Sequence, residues 1–291
     1  MNCIISYQIY GFISILIIFN IGHDAVHQCI SKNKYVNASL GYFFNILGGN
    51  KSSWYLKHNI GHHLYTNIHT RDIDCDTTPF FRVSLHTDIK WWYQFQHLYI
   101  IPLYAILSLI LIFFIDFKVL LIFKDEMKNP LKEWAIIFIS KTVYIIYILI
   151  LPSIYNPISL SETLFCFLLM HFQAGLLISL VLLPSHFISG NAFYKANSNY
   201  EDNSWIEHQL LTTTDIAPNS RVVNFICGGL NTNVIHHIFP KVCHIHLVEL
   251  SDILKNTADH FNMPYRYYSL TEAILAHFKF LKRMGKAKAY E

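Results

Sequence analysis

The chain has 291 residues, 53% of them hydrophobic and only 14% charged, with a net charge of +3 and a mean hydropathy of +0.32. A soluble globular domain carries about 25% charged residues, so this composition, with its apolar residues gathered in long runs, excludes an ordinary soluble fold. The small positive charge is too weak to argue for nucleic acid and is better read as membrane topology.

The N-terminus, MNCIISYQIYGFISILIIFN, has no Lys or Arg ahead of its apolar run and no A-x-A cleavage site. It reads as a retained membrane helix over 3–22, not as a signal peptide. Residues 36–48 are too short to span and are expected at the interface. Residues 98–123 hold an apolar run followed by Asp116 and Lys118. Residues 134–151 are apolar around Lys141, which is expected to snorkel to the cytoplasmic face. Residues 162–185 are apolar around His171 and Gln173. Trp54, Trp91, Trp92 and Trp134 flank apolar runs and fit interfacial anchors. None of the six Cys lies in a CxxC pair, so they read as buried or lipid-facing thiols.

The polar segments differ in sign. Residues 116–133 carry Lys118, Lys124, Lys128 and Lys132, whereas 152–162 carry no Lys or Arg and contain an Asn-Pro turn signal. The positive-inside rule puts the first in the cytoplasm and the second outside. The tail, with Lys279, Lys282, Arg283, Lys286 and Lys288, is also placed inside.

Histidine is over-represented, at 17 residues, and clusters three times. His23 and His27 (HDAVH) stand one helical turn apart, which puts both imidazoles on one face. His58, His62 and His63 form HNIGHH, and His236 and His237 close NVIHH. Counted by composition, HxxxH and HH are each expected about once by chance, but HxxxHH only about 0.06 times. The joint occurrence is the signal. Imidazole ligation suits Fe, Cu, Zn or Ni, and seven clustered histidines exceed one tetrahedral Zn, so two metals are expected. Among the other candidates, His208 is expected to support a ligand, and His171 to hydrogen-bond a neighbouring helix. The Asp72-x-Asp74-x-Asp76 run lacks the Gly and distal Glu of a Ca2+ loop; it is read as a polar loop supporting the second cluster.

HDAVH, KHNIGHH and GGLNTNVIHHIFP, in this order, resemble the three histidine boxes of the membrane fatty acid desaturases. The resemblance runs from about residue 11 to the C-terminus, through WYLKHNIGHHLYTNIHTRDID, the Trp205–Asp215 run and HHIFPKVCHIH. The similarity is to the acyl-lipid or linoleoyl-CoA-like branch, which includes the front-end desaturases. It implies an all-α fold of multi-pass membrane helices under a cytosolic helical cap that carries a di-metal histidine site. It implies two Fe ions, O2, an acyl-lipid or acyl-CoA substrate that gains a cis double bond, and a cytochrome b-type protein or ferredoxin as external electron donor. By position, the metal ligands implied are His23, His27, His58, His62, His63, His236 and His237, with His186 as an eighth. Asn233 replaces the Gln of the front-end branch; it is expected to face the metals, either directly or, the better fit for its shorter side chain, through one water, or else only to cap the helix of the third box. Ile235 stands where the family usually has Glu.

One domain is expected over 1–291, integral to the membrane, with its active site on the cytoplasmic side. It is expected to lack the family's first membrane helix and, having no HPGG signature, a fused cytochrome domain. No GxGxxG is present, so no nicotinamide or flavin site is expected. The second and third boxes must share one side, so 98–123 is expected to be re-entrant or interfacial. Two rivals stay open: a related membrane hydroxylase or ketolase, and a His-rich metal transporter, which should carry its ligands near the bilayer midplane.

Overall fold

The computed structural model describes residues 3–156, 158–196 and 204–287; Pro157 of the Asn-Pro turn and Lys288 lie outside them. The chain is mostly helical and forms two compact units, Met1–Lys57 with Pro102–Ser179, and His58–Ile101 with Leu180–Glu291.

In the first unit α1 (Cys3–Ile17) continues through a π-helical turn, Ile18–His23, to Val26. This apolar rod of 24 residues is long enough to cross a bilayer. Segment 36–48 forms two short helices, α2 (Lys34–Leu40) and α3 (Phe43–Ile46). Helix α4 (Lys51–Trp54) starts at Asn50, whose side chain accepts the Ser53 N–H at 2.8 Å, and runs into a second π-helical segment, Tyr55–His62. Helix α8 (Pro130–Ile145) starts where such a sequence should: the Asn129 side chain accepts the Lys132 N–H, and Pro130 needs no donor there. It runs on through a third π-helical turn to α9 (Leu151–Tyr155), giving a 26-residue span; α10 (Leu160–His186) gives one of 27.

The segment expected to be re-entrant is a bent pair. Helix α5 (Gln96–Ala105) and the run through α6 (Leu107–Ile110) and α7 (Asp116–Ile122) meet at a break of 63°. Pro102 lies inside α5 and cannot donate to the preceding turn, which weakens the ladder just before the break.

Packing in the first unit centres on Tyr7, Tyr144, Ile148, Cys166, Phe167 and Met170. Helix α10 approaches the end of α5 closely: a Cβ at Gly175 would lie 2.3 Å from the Ala105 carbonyl oxygen. Gly48 adopts φ +93°, and a Cβ there would lie 2.9 Å from the Tyr144 ring. Lys141 does not snorkel. Its Nζ donates to the Gly48 carbonyl at 2.6 Å and pairs with the buried Asp116 carboxylate. A partnered ammonium inside the unit replaces the expected path to the surface, because the Asp and the orphan carbonyl offset its desolvation.

In the second unit α11 (Trp205–Thr212), α12 (Arg221–Cys227), α13 (Asn233–Ile238), α14 (Leu247–His260) and α15 (Leu270–Met284) are each short, and most carry their own caps. Ser204, Ser220 and Ser269 cap α11, α12 and α15, and Glu272 completes a capping box with Ser269. Leu210, Val234 and Ile238 make an apolar cluster with Leu254, Met263 and Tyr265, fixing α13 between α11 and α14. Two minimal parallel pairings, β1 (Ile68–His69) with β2 (Tyr194–Lys195) and β3 (Asp215–Ile216) with β4 (Tyr267–Tyr268), tie the connecting loops.

Candidate metal centre

In the first unit His23 ends the π-helical turn that follows α1, and His27 follows one turn on. Their ring centroids are 4.6 Å apart and both are buried. Burial, with the neighbouring His23 adding to it, holds the His27 imidazole well below its ordinary pKa, which keeps a neutral ring with a lone pair to give.

In the second unit the π-helical segment presents His58 and His62, and His63 follows directly. The ladder there closes with an i to i+5 bond, His63 N–H to the His58 carbonyl, at 2.9 Å. Two groups form. The Nε2 atoms of His62 and His186 lie 3.2 Å apart, and the ligand atoms of His62, His186 and His237 fall within 4.8 Å of one another. On the other side His63 Nε2 lies 3.2 Å from His58 Nε2 and 3.1 Å from His236 Nε2. Metal–imidazole bonds of about 2.0–2.1 Å put neighbouring ligand nitrogens about 2.8–3.0 Å apart in octahedral and about 3.3–3.4 Å apart in tetrahedral geometry. The spacings fit ligands that share an ion, and the donor set is all imidazole. Asn233, the first residue of α13, turns its amide toward His186, Nδ2 to Nε2 at 2.8 Å.

The rings are aimed by their other nitrogens. Both oxygens of Asp72 stand 3.0 Å from His62 Nδ1, so Nδ1 carries the proton and Nε2 keeps its lone pair. The carboxylate is held in turn by the backbone N–H groups of Asn67 at 2.8 Å and Asp74 at 2.9 Å. His237 Nδ1 donates to Gln209 Oε1 at 3.0 Å, which leaves its Nε2 for a ligand role. Thr66 Oγ1 lies 3.2 Å from the same Nδ1, and His208 donates from Nε2 to the Thr66 carbonyl at 2.9 Å. The chain bends away after α10 because Asn191 Nδ2 donates to the carbonyls of Ser185 and His186. Asp215, fully buried, accepts the Val234 N–H at 2.7 Å and the Tyr265 hydroxyl at 2.6 Å, pinning the start of the helix that carries His236 and His237. Burial pushes its carboxyl up to about 7.

The first unit holds a cavity of about 100 Å3 lined mainly by apolar side chains, among them Ile15, Ile112, Met170 and Ala174. Ser108, Tyr144 and His171 form one wall of it. Ser108 Oγ donates to the His171 carbonyl at 2.8 Å, so His171 Nδ1 must donate to Ser108 Oγ, at 2.9 Å, and Nε2 accepts from the Tyr144 hydroxyl at 3.0 Å. The mid-helix histidine is thus satisfied between helices, as its apolar surroundings demand.

The family model for fatty acid desaturases matches residues 1–269. The chain belongs to the fatty acid desaturase family. It is similar to the sn-1 linoleoyl-lipid 6-desaturase of Synechocystis sp., 31% identical over 92% of this chain and 77% of that one. It is 30% identical to the acyl-lipid (8-3)-desaturase of Physcomitrium patens, over 94% of this chain but only 59% of that one. The sn-1 linoleoyl-lipid 6-desaturase of Arthrospira platensis is 29% identical, over 92% of this chain and 74% of that one. The family's curated members are fatty acid desaturases, and this chain is an enzyme of that class, an oxidoreductase of lipid metabolism.

Within the second unit the desaturase brings together His58, His62, His63, His186, Asn233, His236 and His237; His23 and His27 stand as a pair in the first. His244 is buried and His246 exposed at the start of α14. Four supports were not singled out in the sequence: Gln209, Thr66, Asn191 and His277. His277, on α15 and fully buried, donates from Nδ1 to the carbonyl of Phe187, the residue after His186, at 2.7 Å. Its only sequence signal is a histidine on the apolar face of an otherwise amphipathic helix.

Proposed function

We propose that this desaturase introduces a cis double bond into the acyl chain of a membrane lipid, using O2 and two iron ions. The observation that carries the reading is the pair of imidazole groups in the second unit, spaced as ligands and aimed by Asp72, Gln209 and the Thr66 network. His58, His62, His63, His186, His236 and His237 would hold the ions there. His23 and His27 complete the set on the strength of the first histidine box, and Asn233 serves beside His186, directly or through a water. The bound ions would supply O2 reduction and the oxidising power for hydrogen removal.

The residues of the chain do the rest. Asp72 and Gln209 keep protons on the Nδ1 atoms of His62 and His237, so both rings present lone pairs. The His186 end of α10 is held by Asn191 and His277, fixing where that ring points. The cavity of the first unit offers dry, shaped walls for an extended hydrocarbon. Such walls are needed because the carbons of a uniform acyl chain differ only in position. Two hydrogens leave the substrate, and two electrons and two protons join them in reducing O2 to two waters. The electrons come from an external donor, a cytochrome b-type protein or a ferredoxin. The relatives' names favour an acyl-lipid substrate over acyl-CoA. The lysines of 116–133 favour an active site on the cytoplasmic side.

Expression in a host of known lipid composition, followed by fatty acid profiling with double-bond localisation, tests the reading. A new cis double bond that disappears with His62→Ala or His236→Ala supports it. Inserted oxygen would mean a hydroxylase. Unchanged lipids with metal accumulation would mean a transporter.

A further inference from the structure

Helix α15 carries Lys279, Lys282 and Arg283 at spacings of i, i+3 and i+4, which share one face, and Lys286 follows in the turn just past its end. All are exposed, and together with Ala287 they line an open cleft. Among the described residues none of the four has a carboxylate within ion-pair distance, and Arg283 stacks over the Phe280 ring at 5.8 Å. Cations at a helix C-terminus are ordinary, since the macrodipole favours them. Four in one open cleft, with no counter-charge among the described residues, form a stronger field than a helix end needs.

The corner in which they sit is built, not floppy. Arg82, fully buried, donates to the Met284 carbonyl at 2.9 Å and the Ala287 carbonyl at 2.6 Å, capping the end of α15. Gln96, fully buried, donates to the Leu281 carbonyl at 2.7 Å. A Cβ at Gly285 would lie 1.9 Å from the Tyr93 carbonyl oxygen, so this helix end rests on the backbone of 91–96. That neighbouring segment shows bulky apolar side chains outward: Trp91 is 74% exposed and Leu98 68%. His97, between them, lies within electrostatic range of Lys282 and Lys286. Four cations with no carboxylate partner among the described residues, beside an exposed Trp and Leu, match an anionic bilayer surface better than a water-borne acidic partner. The cations meet headgroups while the Trp and Leu enter the interface.

We infer that Lys279, Lys282, Arg283 and Lys286, with Trp91 and Leu98, form a docking surface for anionic lipid headgroups that seats this corner of the desaturase on the membrane. The contact does not depend on the identity of the product.

The full chain, purified into nanodiscs of phosphatidylcholine with or without phosphatidylglycerol, tests this. Phosphatidylglycerol should raise the melting temperature of the wild type, and high salt should cancel the rise. The rise should be lost when the four cations are changed together to Glu. It should be reduced when they are changed to Gln, which keeps the helix propensity, and in a Trp91→Ala, Leu98→Ser pair. An unchanged rise in the Gln variant overturns the inference. So does an equal rise from inorganic phosphate added to phosphatidylcholine discs, which would mark a simple anion site. A third overturning result is no lipid effect, together with loss of donor-driven turnover in the Gln variant that a chemical reductant restores. The face would then dock an acidic protein.

Discussion

Replacing Asp72 by Asn separates a metal ligand from a buried histidine. The carboxylate gives His62 Nδ1 two oxygens at 3.0 Å and has no exposed side-chain surface. A hydrogen bond to a charged group contributes about 1.5–3 kcal/mol, a factor of roughly 10 to 150, and partners of this kind are worth about 10- to 100-fold in metal affinity. Asn keeps one oxygen, so either His62 or one of the two backbone donors, Asn67 N–H and Asp74 N–H, loses its acceptor. If the amide instead turns its NH2 toward His62, the ring must move its proton to Nε2 and cannot bind metal through it. Titration of purified protein with Co(II), read by ligand-field absorption, should show a 10- to 100-fold weaker site in Asp72→Asn. Asp74→Asn is the control: Asp74 lies 3.7 Å from the same nitrogen and is 28% exposed, so its loss should cost about fivefold at most. Wild-type affinity in Asp72→Asn would refute the argument that this carboxylate sets the state of His62.

Lys141→Met should destabilise the protein by about 3–5 kcal/mol by stranding the Asp116 carboxylate. The double variant with Asp116→Leu should recover much of the loss in thermal unfolding, since an apolar pair can replace a buried ion pair. Gly175→Val should cost at least about 1–3 kcal/mol, because the Ala105 carbonyl occupies the space a side chain needs; wild-type expression and melting temperature would contradict that packing. For Asp215 the folded pKa is raised to about 7, above the ordinary carboxylate value of about 3.9. Its contribution to stability is therefore fully present below the unfolded value and is lost as pH rises through about 7. The wild-type melting temperature minus that of Asp215→Asn should fall between about pH 4 and pH 7, and a flat difference would contradict the raised value.

The histidine clusters were legible because metal ligation needs particular side chains at short, countable spacings, and the spans because hydropathy accumulates over twenty residues. Asp72 could be suspected from its place ten residues after His62. Gln209 and His277 could not, since each acts on a residue far away in sequence through a bond that any polar side chain could make. Lys141 misled for a related reason. Near a helix end a lysine can reach water, and only the fold brings Asp116 and the Gly48 carbonyl within reach of its ammonium. For 98–123 topology suggested only a re-entrant or interfacial element; the break at Ile106 depends on how α10 packs against the end of α5, which Gly175 records.

The π-helical turns that end at His23 and His62 have a genetic consequence. Each widened turn holds one residue more than an α-helix would use. Deleting a single residue there would let the backbone relax to regular α-helix, leaving hydropathy and helix length almost untouched. The relaxation absorbs the missing residue, so side chains beyond the turn keep their faces, whereas the same deletion in regular α-helix would swing them by about 100° around the helix axis. A frame-preserving codon loss within 18–22 should therefore yield a well-inserted protein whose His23 and His27 stay on their face, while one within Cys3–Ile17 should turn them off it. Within 59–61 the same loss would also break the spacing of His58 and His62 and leave a metal-poor protein.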